Sequence, residues 1–473
     1  MNIKLFNTMS RSVEDFKPLE EGKVSMYTCG PTVYHFAHIG NLRTYVSNDI
    51  LKRMFLANGY QVKHIMNITD VGHLTSDADS GEDKMEKGSR REGKSVWEIA
   101  KYYTDVFMDD IQKLNILPPT KFTKATEYIQ EQIDLVKRLE DIGYTYKIDD
   151  DGIYYDTSKF ADYWKLGGQK LDELKAGARI EFIDGKRNPS DFALWKFSPK
   201  DAKRQMEWDS PWGVGFPGWA IECSAMSLTE IGDRMDVHTG GVDHIKVHHT
   251  NEIAQVEPVV GHKWVNYWIH MEFLNDTTGK MSKSNGDFLT LSKLEEKGYS
   301  PIVYRYFLLM ASYRKQINFS FELLDAAKNG YENLVRKIAN ILAESVATKV
   351  VENKQEVAKW REKMLGLVSD DLNTAGAIVV LQDLLKSNIS SEEKIAVIEF
   401  ADELLGLKLL ENARALGDVS NVDVPMQIKK MAEERMTAKK AKNYALADEL
   451  RMKILDAGYV IEDTADGFKI KSK

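Results

Sequence analysis

Along the first seventy residues the apolar positions keep two different periods. Residues 24–29 are a short run rich in apolar and β-favouring side chains, and Gly30-Pro31 breaks it. From about Gly40 the apolar positions recur at helical spacing as far as Asn58-Gly59, and a second β-favouring run fills 62–68. The pattern predicts strand, turn, helix and strand, a right-handed βαβ crossover whose first turn faces the carboxyl ends of the strands, where such folds bind ligands. Helical spacing returns at 95–114 and stops at Pro118-Pro119.

A mixed segment follows over 122–209, with a predicted helix at 127–142, a strand at 152–156 and Trp195 near its end. The parallel-sheet pattern resumes only near Trp219, through apolar runs at 219–226 and 235–237, a helix at 252–260 and an aromatic-rich strand at 263–273. An inserted α+β domain within a split parallel sheet is the simplest account. Residues 275–286 read as a small-residue loop carrying two lysines. Beyond Ser320, a plausible N-cap, one face stays apolar through Leu323, Leu324, Ala327, Tyr331, Leu334, Val335, Ile338 and Leu342. Helices at 352–368, 373–386 and 391–405 predict an all-α bundle, and 418–425 a loop into a last, helical module. No internal repeat is found.

Composition narrows the class without naming a function. At 473 residues, 43% hydrophobic and 29% charged, the chain is globular and too long for one core. No apolar run is long enough to span a bilayer and the first residues show no secretory pattern, so a cytoplasmic location without membrane partners is expected. Two cysteines argue against a disulfide framework and leave each thiol as filler, metal ligand or catalytic group. A net charge of −8 excludes indiscriminate nucleic-acid binding, but not a local basic patch. One such patch exists: residues 428–453 hold Lys429, Lys430, Arg435, Lys439, Lys440, Lys442, Arg451 and Lys453 against Glu433, Glu434, Asp448 and Glu449.

The opening turn concentrates candidate chemistry: Cys29, His35, His38 and a glycine at a helix mouth, where free N–H groups favour an anion. The charged stretch 77–94 reads as a solvated face. His248 and Glu252, four apart, share one helix face, and with Cys29 and Cys223 they would make a tetrahedral zinc site. Spacing alone leaves this open against two buried thiols and a surface His–Glu pair. His38 and Asn41 bracket Ile39-Gly40, while Lys280 and Lys283 lie on a glycine-flanked loop, which suits a triphosphate. No Walker or Gly-x-Gly-x-x-Gly pattern is present. Gly240-Gly241-Val242-Asp243 could set a carboxylate against a ribose hydroxyl.

Together these residues resemble a family. His38-Ile39-Gly40-Asn41 and Lys280-Met281-Ser282-Lys283-Ser284 look like the paired nucleotide motifs of class I aminoacyl-tRNA synthetases. The run 26–34, Asn67-Ile68-Thr69-Asp70, the run 217–226 and His248-His249-Thr250-Asn251-Glu252 narrow the resemblance to the cysteinyl-tRNA synthetases, essentially end to end. Two departures stand out: Asn41 replaces the second histidine of the usual motif, keeping hydrogen-bonding capacity without positive charge, and Ala220 stands where many members have histidine.

The resemblance implies a Rossmann-type catalytic domain in two halves, 1–119 and 210–275, split by a connective domain at 120–209. It further implies a loop and stem-contact region at 276–319, an anticodon-binding bundle at 320–412 and a small basic module at 426–473. It implies one Zn2+ held by Cys29, Cys223, His248 and Glu252 and gripping the substrate thiolate. His38, Asn41, Lys280 and Lys283 would be catalytic; Gly40, Gly240, Gly241, Asp243 and Lys283 would bind ATP, supplied with Mg2+; Thr69, Trp219 and His238 would shape the amino-acid pocket. The implied partners are L-cysteine, ATP and tRNA(Cys), and the implied state is a monomer. Two other readings are a cysteine ligase acting on a small amino sugar and a non-catalytic cysteine- or tRNA-binding relative. The helical bundle and basic module speak against the first, and the intact lysine loop against the second.

Overall fold

Short β-favouring runs separated by crossovers long enough to hold a helix are free to pair in parallel, which a tight hairpin would forbid. In a computed structural model of the chain they form a five-stranded parallel sheet, ordered Val265–Met271, Met235–Gly241, Lys23–Thr28, Gln61–Ile68, Lys121–Lys124. The structure describes residues 1–72, 83–168, 185–199, 204–276, 279–280, 289–345, 353–420, 425–441, 443–464 and 467–472. From Lys23–Thr28 the chain steps outward twice, then returns to the other side of that strand. The order therefore reverses between Lys23–Thr28 and Met235–Gly241, and their adjacent carboxyl ends frame the crevice in which such sheets hold ligands.

The first crossover is the helix Ile39–Ala57, buried on most of its surface, including Arg43, Asp49 and Arg53. Asp49 accepts from Arg53 at 2.7 Å and from Arg305 at 2.5 Å, while the Lys52 ammonium donates to the Pro118 carbonyl at 2.5 Å. Beneath the sheet Tyr27, Ile65, Met226, Val256, Trp264 and Trp268 build one apolar core, and Cys29 and Cys223 belong to it.

Between the strands Lys121–Lys124 and Met235–Gly241 an antiparallel sheet is made of Thr145–Ile148, Gly152–Tyr155, Phe192–Phe197 and Gly215–Pro217, in chain order. The helix predicted at 127–142 opens as a 3-10 turn at Ala125–Tyr128 and continues as Ile129–Asp141. Trp195 is fully buried, packed with Leu139, Ile221 and Ala254. The apolar run at 219–226 is the helix Trp219–Glu230, and the helix predicted from 252 starts at His248. The early start escapes a hydrophobic-period argument because its first turn is His-His-Thr-Asn, yet all four side chains are buried.

The chain divides into two compact units. The first comprises Met1–Lys328, Glu362–Val380 and Glu403–Leu407, the second Asn329–Arg361, Leu381–Asp402 and Lys408–Lys473. In the second, the helices Met426–Lys440 and Tyr444–Asp456 pack together and are closed by a hairpin, Tyr459–Thr464 with Gly467–Ser472, over a small core of Ile428, Ala432, Ile454 and Ile461. The sequence reading predicts those helices but not the hairpin. Among the described residues no helix is long and apolar enough to cross a membrane.

Candidate functional site

The strand Lys23–Thr28 hands the chain to Cys29, whose N–H donates to the Thr239 carbonyl of the neighbouring strand at 3.1 Å. Gly30 follows for a steric reason, since a Cβ there would lie 1.7 Å from the Asn67 carbonyl oxygen. Asn67 Oδ1 accepts from Gly30 N–H at 2.8 Å, and its Nδ2 donates to Thr69 Oγ1 at 3.0 Å. Thr69, buried, also donates its own N–H to the Pro31 carbonyl, so it is fixed against the turn.

Downstream, His38 and Asn41 close a reciprocal cap on the helix Ile39–Ala57. His38 Nδ1 accepts from Asn41 N–H at 3.1 Å, and Asn41 Oδ1 accepts from His38 N–H at 3.3 Å. A Cβ at Gly40 would sit 2.9 Å from His38 Nδ1, so the glycine leaves room for the capping ring. The cap fixes both side chains at the positive end of the helix dipole.

Two helices deliver the remaining candidate ligands. Cys223 comes from the helix Trp219–Glu230, and His248 and Glu252 from the first turns of His248–Val260, one turn apart. One ligand atom from each of Cys29, Cys223, His248 and Glu252 can be chosen so that all four lie within 4.8 Å of one another, every residue buried. His248 Nε2 is 2.9 Å from Glu252 Oε1. The hydrogen bond from Cys29, with His248 nearby, brings Cys223 down to about 6 against its burial, whereas burial and Cys223 push the Cys29 thiol well up. Burial opposes charge on His248, but Glu252 and Cys223 outweigh it and raise the imidazole to about 10. Burial likewise opposes the Glu252 carboxylate, and His238 and His248 overcome it, lowering it to about 2. A buried thiolate and carboxylate against a single imidazolium is a donor set that a divalent cation completes, and two sulfurs, one nitrogen and one carboxylate suit zinc.

A layer of further histidines backs this cluster. His238, on Met235–Gly241, places Nε2 2.7 Å from Glu252 Oε2. His249 Nε2 lies 3.3 Å from Cys29 Sγ, its Nδ1 lies 2.7 Å from His270 Nε2, and His270 Nδ1 lies 2.7 Å from Thr8 Oγ1. Burial, then the other imidazoles, hold His249 and His270 well below the usual histidine range, so both are neutral. Gly240 makes the layer possible, because a Cβ there would lie 2.7 Å from both His244 Nδ1 and His249 Cε1. Trp219, half-buried, tilts against the His248 ring at 4.3 Å between centroids.

Above Cys29 opens a cavity of about 190 Å³ lined in part by Asn41, Gly241, Asp243 and His244. The turn Val242–His244 carries Asp243 there; Gly241 is needed because a Cβ would meet Asp243 Oδ1 at 2.4 Å. Thus Cys29, Asn41, Gly241 and Asp243 meet around one cavity, with His38 and Gly40 at the adjoining helix mouth. Thr69 does not line it, but pairs with Thr32, which does. Gly279–Lys280 pairs antiparallel with Asn275–Asp276; the Lys280 side chain and the whole of Lys283 lie outside the described residues.

Sequence reasoning passed over His244, His249, His270, Tyr34 and Lys84. Lys84, at the start of the helix Lys84–Glu92, lines the cavity with its ammonium 5.9 Å from the Tyr34 ring centre. A signal for the histidines was present: six of the ten fall between residues 238 and 270.

Residues 15–329 match the family described as tRNA synthetases class I (C) catalytic domain. The chain is 47% identical to a cysteine–tRNA ligase of Treponema denticola over 98% of each chain, and 46% identical to cysteine–tRNA ligase 1 of Burkholderia lata over 99% of this chain and 97% of that one. Among solved structures it is similar to Mycobacterium tuberculosis methionyl-tRNA synthetase bound by methionyl-adenylate, with a TM-score of 0.56 and 16% identity over 87% of this chain and 95% of that one. It is also similar to the LeuRS–tRNA–LeuAMS complex of Agrobacterium radiobacter, with a TM-score of 0.61 and 13% identity over 86% and 87%. At these identities the two structures speak for the fold.

Proposed function

The chain belongs to the cysteine–tRNA ligase family of class I tRNA synthetases, and from that premise we propose how its residues activate L-cysteine with ATP and transfer it to the terminal ribose of tRNA(Cys). The observation that carries the reading is the buried Cys29–Cys223–His248–Glu252 cluster, placed at the switch point beside the His38–Asn41 helix mouth.

When bound, zinc in that cluster would supply a Lewis acid that keeps a substrate thiol as thiolate and prefers it over the hydroxyl of serine. Thr69, Trp219 and His238 border the amino-acid pocket: Trp219 covers the His248 face, and His238 holds one Glu252 oxygen in place. The helix mouth at His38–Asn41 faces the ATP phosphates, Gly240 and Gly241 allow close approach of the adenosine, and Asp243 accepts from its ribose. Lys280 and Lys283 put positive charge on the leaving pyrophosphate, which travels with Mg2+.

In the first step a cysteine carboxylate oxygen bonds to the α-phosphorus, the bond from that phosphorus to the bridging oxygen breaks, and pyrophosphate leaves. In the second, a terminal ribose hydroxyl of tRNA attacks the acyl carbon and AMP leaves. Neither step asks a side chain for more than position and charge, which a pre-organised site supplies. Rejecting serine by direct coordination removes the need for editing, since a merely apolar pocket discriminates such near-isosteres weakly.

The test is ATP–pyrophosphate exchange dependent on cysteine, followed by charging of tRNA(Cys). Both are expected, both abolished by chelation and restored by zinc. Exchange without charging of any tRNA points to a small acceptor instead, and absence of both overturns the reading.

A further inference from the structure

Behind the first ligand set lies a second. Ligand atoms of Cys29, His238, His249 and Glu252 also fall within 4.8 Å of one another, and all four residues are buried. The two sets share Cys29 and Glu252; Cys223 and His248 belong to one alone, His238 and His249 to the other. The Glu252 carboxylate is divided between them, Oε1 2.9 Å from His248 Nε2 and Oε2 2.7 Å from His238 Nε2.

The inner set has the features of a ligand shell. Neighbouring donors bonded to one ion at ~2.0–2.3 Å stand about 3.0 Å apart in a square-planar shell and about 3.5 Å apart in a tetrahedral one, and Cys29 Sγ to His249 Nε2 measures 3.3 Å. A ligating imidazole uses one nitrogen and gives the other N–H to a fixed acceptor. His249 is arranged that way: Nε2 faces the thiol, while Nδ1 faces His270 Nε2 at 2.7 Å, itself held through Nδ1 by Thr8 Oγ1 at 2.7 Å. The His238 ring is stacked on Trp268, 4.7 Å between centroids and 20° from parallel, so its direction is fixed too.

We propose that the floor of the site offers one divalent ion two overlapping positions, an outer one on Cys29, Cys223, His248 and Glu252 and an inner one on Cys29, His238, His249 and Glu252, the inner, richer in nitrogen, taking nickel(II) more readily than the outer. The outer set has two thiolates and one imidazole, which favours zinc; the inner has one thiolate and two imidazoles, which shifts preference toward an ion that favours nitrogen. Because Cys29 and Glu252 serve both, an ion in the inner position displaces zinc from the outer. That competition rests on the zinc reading above; the existence of the inner position does not.

The experiment uses the full-length protein, stripped of metal and dialysed against nickel(II) or zinc(II), with metal counted by mass spectrometry and thiolate-to-nickel absorption recorded. The variant Cys223→Ala/His248→Ala, lacking both ligands unique to the outer position, is expected to bind one nickel per chain with a charge-transfer band. Adding His249→Ala is expected to weaken nickel at least 100-fold, and adding Cys29→Ala to abolish the band. A folded double variant that binds no more nickel than the one also lacking Cys29 overturns the proposal. Should the double variant not fold, His249→Gln in the otherwise intact chain decides: nickel affinity is expected to fall at least tenfold with zinc affinity within twofold of the parent, and unchanged nickel affinity overturns the proposal. Zinc retention in that variant reports on the outer position by itself, so the two failures are told apart.

Discussion

A Cβ on residue 40 would lie 2.9 Å from His38 Nδ1 and 3.0 Å from His38 Cε1. Gly40→Ala must therefore turn the histidine out of its cap, losing about 1 kcal/mol, while gaining part of alanine's helix propensity of roughly 1 kcal/mol. The two terms nearly cancel in stability but not in function. The expected outcome is an unfolding temperature within a few degrees of the parent and a KM for ATP raised about tenfold in pyrophosphate exchange; an unchanged KM would detach the cap from ATP binding. Asp110 gives a second prediction at this scale. It is buried on the helix Val96–Lys113, and burial, opposed by Lys113, raises its carboxyl to about 7 from 3.8. The folded state then binds more protons than the unfolded one between those values, so this residue's contribution to stability falls as pH rises through the window. Asp110→Asn should stabilise the chain by ~1–3 kcal/mol at pH 8, with the gain shrinking towards pH 4, as read by urea unfolding. A gain independent of pH would contradict the assignment. The candidate ligands were half legible in the sequence: the spacing of His248 and Glu252 puts them on one face, but nothing local links them to Cys29 or Cys223. The core shared by the end of Lys23–Thr28 and the helix Trp219–Glu230 brings those thiols together, and the resemblance, not the pattern, anticipated it. His249 stood inside the 248–252 motif and His270 inside a strand-like run, and only the crowding of histidines between 238 and 270 hinted that either backs the site.

At the scale of elements, Arg43 ties the first crossover helix to the chain around the second nucleotide motif. Its guanidinium, buried, donates to five carbonyls: Glu272 at 2.7 Å, Phe273 at 2.5 Å, Ser312 at 3.1 Å, Tyr313 at 3.4 Å and Lys315 at 2.5 Å. Those carbonyls flank Leu274–Asp276 and Ile317–Asn318, the strands of the small sheet to which Gly279–Lys280 is added. Burial, opposed by Tyr304 and Glu272, lowers Arg43 to about 10, so it stays charged at pH 7. A lysine keeps the charge but not the planar fork. Arg43→Lys is expected to cost about 2–3 kcal/mol of stability and to raise the KM for ATP more than that for cysteine, because the tie holds the strands beside Gly279–Lys280 and not the candidate metal ligands. Equal change in both constants, measured in exchange, would reduce Arg43 to general packing. Elements with a clear period were legible from sequence, as Ile39–Ala57 and Gln61–Ile68 show. Those built on buried polar residues were not: the helix from His248 begins four residues before its apolar pattern, since its first turn serves the site and not the core.

Over the whole molecule, Cys29, His38, Asn41, Cys223, Asp243, His248 and Glu252 all lie in the first compact unit, within Met1–Lys328. The residues proposed for cysteine activation that the structure describes therefore belong to that unit, while the basic stretch 428–453 belongs to the second. Its helices share a small core with the terminal hairpin, so residues 426–473 have a core of their own. Arg435 is buried, but seven further cations against four anions inside an acidic chain match a phosphate backbone better than any small substrate. Ending the chain at Pro425 should leave cysteine-dependent exchange within about twofold of the parent and lower kcat/KM for charging tRNA(Cys) about tenfold or more, chiefly through KM. Neutralising tRNA phosphates releases counterions, so the parent's KM for tRNA should climb steeply with salt and the shortened chain's less so. Were exchange to fall together with charging, the module would be needed for the first unit's structure; were charging and its salt dependence both unchanged, the patch would have no role in tRNA binding.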